Sequence, residues 1–129
     1  MERLATWILP IAFVLVAGTP LYSAEPDKRQ AAAIVTIEKV GGTVTVDKNK
    51  AVVGVGLFHR PITDADLQHL KGLNRLRGLI LDNTNVTDAG LEHLKGLNRL
   101  RYLGLSGTQV TESGIQNLQK AIPDCQIRH

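Results

Sequence analysis

The nine residues HLKGLNRLR occur twice, at His69 to Arg77 and again at His93 to Arg101, 24 positions apart. An identical run at a fixed offset means that each copy solves the same packing problem as its neighbour, so the chain is built from a repeated structural unit. Setting Leu67 to Gly90 over Leu91 to Gly114 gives 16 identities in 24 positions, and the shared apolar positions are mostly leucine. Upstream, Ala51 to Asp66 matches the second half of the unit, with Leu57 at the place of Leu81 and the triplet TDA at both Thr63 and Thr87. Downstream, IQNLQKAIPDCQI matches the first half, with Ile127 at the place of Leu103. Two full units therefore lie between two half-units.

Within a unit two periodicities alternate. Leu79 and Leu81, like Leu103 and Leu105, are two apart, the period of a strand with one face inward. Leu91, Leu94 and Leu97 are three apart, the spacing along one side of a short helix. Thr87 stands where an N-cap is wanted, Asp88 falls at the positive end of the helix, and Gly96 can end it; the same pattern predicts Thr63 as a cap, Asp64 behind it and Gly72 as the stop. Each unit then reads as strand, turn, helix and return. Alone it cannot bury its leucines, but side by side such units share one core and align their strands in a parallel sheet.

The segments LRGLILDNT and LRYLGLSGT, at Leu76 to Thr84 and Leu100 to Thr108, resemble the L-x-x-L-x-L-x-x-N stretch of leucine-rich repeats, and NVTDAGLEHLKGLNRL resembles the variant found in exported bacterial proteins of that family. The resemblance spans 51–127. It implies an α/β fold: a short solenoid with a parallel sheet on one face and helices on the other, capped at both ends. One departure bears on the turns. Thr84 and Thr108 replace the usual Asn and carry fewer donors for the backbone there, while Arg60 holds that place in the first half-unit and cannot replace it, so the first turn is expected to be irregular.

An open end would expose leucines and strand edges, so caps are expected. In the amino-terminal one, over 25–50, Ala33, Ile34, Ile37 and Val40 line one face of a helix that Gly41 and Gly42 stop. TVTVDKNKAVVGVGL then alternates, with Asp47 to Lys50 as a polar turn between extended segments. The array itself occupies 51–129, ending in a carboxyl-terminal cap whose last short strand is at Ile127. Cys125, the single cysteine, cannot form an internal disulfide and fits a small buried residue.

Residues 1–24 have the layout of a secretory signal peptide, with Arg3 near the start and an apolar run from Trp7 to Ala17. Cleavage after Ala24 leaves Tyr22 three positions back, where a small residue is preferred, so Gly18 and Ser23 remain alternative sites. An uncleaved membrane anchor is the other reading of the same run, and only then would the protein meet a membrane. Otherwise it is expected in the periplasm or outside the cell. Interspersed charge, with 15 Lys and Arg against 12 Asp and Glu, argues for solubility and against a nucleic-acid surface.

No constellation for catalysis, cofactor or metal emerges. GLSGT at Gly104 resembles a nucleophile elbow but has Thr108 in place of the second glycine, and Ser106 aligns with Asp82, an ordinary variable position. His69 and His93 share a place in successive units but lack a third ligand in the same row. Asn85 heads an NVT acceptor triplet whose Thr87 is already needed as a cap. Lys71, Arg75 and Arg77 stack on Lys95, Arg99 and Arg101 as a basic ladder, either a solvated rim or an attraction for polyanions.

What remains is the outward face of the strands, where the units differ. Its rows are Gly54, Gly78 and Tyr102; Gly56, Ile80 and Gly104; and Phe58, Asp82 and Ser106. Phe58, Ile80 and Tyr102 among glycines make a shallow apolar surface, with Asp82 as a polar handle and Ser106 beside it. The expectation is a non-catalytic recognition or scaffold module that binds a protein or cell-surface ligand through these residues. The alternative is a structural element that self-assembles without a dedicated ligand.

Overall fold

The structure, a computed structural model, describes residues 28–129; the signal-peptide or anchor reading of 1–24 lies outside the described residues. Helix α1 runs over Lys28–Lys39 and buries Ala33 and Ile37, with Ile34 and Val40 packed against the same core. It ends where the sequence suggests. Gly41 adopts φ 82°, and the Gly41 and Gly42 amides donate to Glu38 and Ile37 carbonyls at 2.9 and 2.8 Å, closing the last turn.

Strands β1 (Thr43–Val46) and β2 (Val52–Gly56) form an antiparallel hairpin. The polar turn is organised by Asp47, whose Oδ1 accepts from the Asn49 and Ala51 amides at 2.8 and 3.0 Å, while Lys50 takes the left-handed conformation. Gln30 ties α1 to this hairpin from both ends of its amide, donating to the Lys50 carbonyl at 2.8 Å and accepting from the Val52 amide at 2.9 Å.

Strands β3 (Gly78–Ile80), β4 (Tyr102–Gly104) and β5 (Gln126–Arg128) add in parallel, giving a five-stranded, mostly parallel sheet in the order β1-β2-β3-β4-β5. Gly54 pairs with Gly78, Gly78 with Tyr102 and Tyr102 with Gln126, so the register advances by the sequence period at every step. The returns carry a 3-10 helix over Asp66–Gly72, helix α2 (Asp88–Leu91) continued by a 3-10 turn over Glu92–Leu94, and helix α3 (Glu112–Ala121). A single cluster joins the buried leucines of all units, from Leu57 through Leu79 and Leu103 to Leu118, and includes Cys125. Burial pushes the Cys125 thiol up to about 11, so it stays protonated at neutral pH.

The first turn is not irregular. His59, Asn83 and Gly107, at successive 24-residue steps, adopt φ 58°, 58° and 73°, and the Arg60 amide bonds the Leu57 carbonyl at 3.1 Å just as Thr108 bonds Leu105 at 3.3 Å. The left-handed residue before it makes this turn, so Arg60 forfeits only a side-chain bond. Thr84 and Thr108 make that bond, each hydroxyl donating to a leucine carbonyl, Leu81 and Leu105, at 2.7 Å.

The TDA triplets link the units. Thr87 caps α2 as expected, accepting from the Ala89 amide at 3.3 Å. Asp64, however, reaches 23 residues forward, accepting from the Thr87 amide at 2.7 Å and from its hydroxyl at 2.5 Å. Asp88 repeats this on Thr111 at 2.7 and 2.6 Å. The carboxylates lie over Gly90 and Gly114, where any Cβ would collide with Asp64 and Asp88 respectively. Thr63 differs from the expectation: it caps nothing, and the 3-10 helix begins after Ala65 without a side-chain cap. Val40 stands where a preceding aspartate would be needed. Asp66, aligned with Gly90, instead accepts from the Thr63 amide and hydroxyl at 3.0 and 3.1 Å.

The two Thr111 bonds hold the Asp88 carboxyl below its usual value of 3.8. A carboxylate with a depressed folded-state pKa contributes stability that is complete above 3.8 and is lost as pH falls through the folded value. Acid unfolding followed by circular dichroism should therefore be less steep below pH 3.8 in Asp88→Asn than in the parent, and identical acid slopes would contradict the linkage.

Candidate functional site on the strand face

Because Val55, Leu79 and Leu103 point into the core, the alternate positions Gly54, Gly56, Gly78, Ile80, Tyr102 and Gly104 fall on the opposite face. The structure brings the five candidate residues to this face or its margin: Ile80 on β3, Tyr102 on β4, and Phe58, Asp82 and Ser106 in one row just past the strand ends, where the His59 and Asn83 amides bond the Asp82 and Ser106 carbonyls at 3.0 and 2.7 Å. Phe58 is the most open, with half its surface exposed, and its ring meets His59 edge-on at 5.9 Å. Ile80 and Tyr102 are half-buried.

The glycines are not equivalent. A Cβ on Gly54 would lie 3.3 Å from Thr45 Cβ, one on Gly56 would lie 2.7 Å from Thr43 Oγ1, and one on Gly104 would lie 2.7 Å from Asp82 Oδ1. Three of the four face glycines are thus roofed by side chains, two from strand β1 and one from Asp82 just past the end of β3. Around Gly78, its chain neighbours aside, no atom of the described residues lies within 4 Å of that point. The open ground of the face is therefore one spot of bare backbone, with Ile80 along the same strand and Tyr102 as its cross-strand partner.

Asp82 is already engaged. Its Oδ1 accepts from the Ser106 amide at 3.1 Å, and its Oδ2 pairs with Arg128 Nη2 at 2.7 Å across the intervening strand. Gly104 makes this crossing possible, because any side chain there would occupy the carboxylate's path. The Asp82 side chain is 16% exposed against 58% for Arg128, so the guanidinium, oriented by its partner, is the polar group offered to a ligand. Sequence reasoning missed Arg128, although the signal was present: it stands 24 residues after Gly104 and therefore in the same outward row.

The other singled-out residues disperse. Among the described residues no group of three or more His, Cys, Asp or Glu side chains converges as a metal site. The basic ladder breaks into local pairs, with Lys95 on Glu92 at 2.8 Å and Arg75 within 3.8 Å of Asp47, while Arg101 reaches the Asn98 and Leu100 carbonyls at 3.4 and 3.5 Å. Compared with models of protein families, the chain matches none, and a search of curated proteins gives no match.

Proposed function

We propose that the chain is a short leucine-rich-repeat solenoid, capped by α1 with β1 at one end and by α3 with β5 at the other, and that it is an exported, non-catalytic module that recognises a protein or cell-surface ligand through its strand face. The 24-residue step of the sheet register and the continuous leucine cluster support the solenoid. The bare backbone at Gly78 bordered by Ile80 and Tyr102, with exposed Phe58 on the same face, is the observation that carries the binding function. Phe58, Ile80 and Tyr102 supply apolar contact, and Arg128, held by Asp82, orients the partner. Five short strands limit the area, so the interface is weak or of standard size.

Affinity capture from the envelope and exported fraction tests this, using the protein beside a Phe58→Ala, Ile80→Ser, Tyr102→Ala variant checked for folding. A partner held by the parent and lost by the variant is the expected result. Equal capture by both would remove the strand face as the site. Self-assembly is the second reading, favoured by Val46, half exposed on edge strand β1; sedimentation that shifts with concentration, with no ligand captured, would establish it instead.

A further inference from the structure

We infer that two copies of this chain associate through β1, each pairing antiparallel with the β1 of the other about a two-fold axis at Thr45, because β1 is an unguarded sheet edge whose alternation matches itself in that arrangement. β1 stands at one end of the sheet order, so among the described residues one of its edges has no strand beside it. Folded chains protect such edges with charges, prolines or bulges. Thr43–Val46 has none of these. Its residues are all β-branched and uncharged, and the register shift of the hairpin skips Val53 of β2 while β1 itself runs unbroken. The other end of the sheet is guarded: β5 carries the exposed Arg128, paired with Asp82, and is followed by His129 within 3.7 Å of Glu112. The amino end is therefore matched to another amino end rather than to β5.

The side chains decide the occupant. Thr45 and Thr43 lie over Gly54 and Gly56 on the outward face, while Val44 packs against the core on the other. Val46 follows Val44 by two and shares its side, yet half of it is exposed at the open edge. Directly opposed residues of an antiparallel pair share a face, so a strand pairs with a copy of itself only where residues an even number apart meet. With Thr45 on the axis, Val46 of each copy lies opposite Val44 of the other, Thr45 meets Thr45, and no valine is set against a threonine. The same register places exposed Lys48 opposite Gly42 of the other copy, next to the turn in which Gly41 bonds the carbonyl of exposed Glu38, so unlike charges meet at both ends of the pair. Such an isologous contact closes at two copies. Four residues a side bury little area, which makes the dimer weak and dependent on concentration. Gly78 and Ile80 lie two strands away and stay uncovered, so the pairing does not rest on ligand recognition.

Sedimentation velocity of the full protein, from about 10 μM to about 1 mM, tests the pairing. A monomer–dimer equilibrium that stops at two copies is expected. Thr45→Glu sets two carboxylates opposite each other at the axis, and Val46→Lys gives the edge a guarding charge. Both positions are exposed, so the circular dichroism of each variant should match the parent while dimerisation weakens by about tenfold or more. Monomer throughout the range, growth beyond two copies, or a dimer of undiminished strength in either variant, as association through any other surface would give, would each overturn the inference. No ligand enters the measurement, so its outcome is separate from that of the capture experiment on the strand face.

Discussion

Gly78→Phe should leave the protein folded and weaken, by about tenfold or more, capture of the ligand proposed for the strand face. The position is in a strand, has no left-handed conformation to protect, and offers a new side chain an open approach. Glycine in a strand interior weakens it, and an aromatic residue opposite Tyr102 gains a cross-strand contact. The thermal midpoint should therefore stay level or rise. At the same time the ring would fill the one uncovered patch of backbone on the face, and affinity should fall by tenfold or more, about 1.4 kcal/mol. Gly104→Ala serves as the contrast, since its Cβ would strike the Asp82 carboxylate at 2.7 Å and disturb the Arg128 pair. Capture undiminished in Gly78→Phe, measured by biolayer interferometry against the captured partner, would move recognition off this face.

One residue further along, the expected effect reverses. Leu79→Ala should cost about 2–5 kcal/mol and leave surface recognition aside, because Leu79 is fully buried and its shortening leaves a cavity between its neighbours on the two flanking strands. A domain of this size holds only about 5–15 kcal/mol in all. The urea midpoint should fall accordingly with little change in slope. A loss below about 1 kcal/mol would mean that the site collapses around the alanine, and that the leucine cluster is less tightly interlocked than the structure shows.

Much of the fold was legible because the period fixes which residues share a row. Leu79 and Leu103 point inward, Gly78 and Tyr102 outward, and their pairing follows from an offset of 24. The helix face of α1 and its glycine stop were equally plain, since both are local. Contacts between rows were harder to foresee. Asp64 looked like a helix-dipole residue because its nearest helix begins beside it; its reach to Thr87 depends on how far neighbouring units are offset, which no single unit encodes. Asp66, at the place of Gly90, gives Thr63 a local partner, a role that is tied to the forward reach of Asp64 and so is equally hidden in a single unit.

The site shows the same division. That Phe58, Ile80 and Tyr102 share a face follows from alternation. The period also places Arg128 in the row of Gly104, but that Asp82 is held by Arg128 does not follow from it, because the pair forms across the intervening strand and depends on side-chain reach. The roofs over Gly54 and Gly56 come from β1, an antiparallel strand outside the repeat, so the period carries no information about them.

The forward reach of Asp64 and Asp88 gives the chain a direction of growth. Every joint is made by a carboxylate of one unit closing on the threonine and glycine of the next, so a further 24-residue block spliced between Asp64 and Thr87 or between Asp88 and Thr111 would meet a matching socket on each side. Ahead of Thr63 there is no such socket, since Asp66 already occupies it. Lengthening by internal duplication would widen the face by about 4.8 Å per block while keeping both ends unchanged, which makes the breadth of the proposed binding surface a quantity that can be adjusted by copying alone.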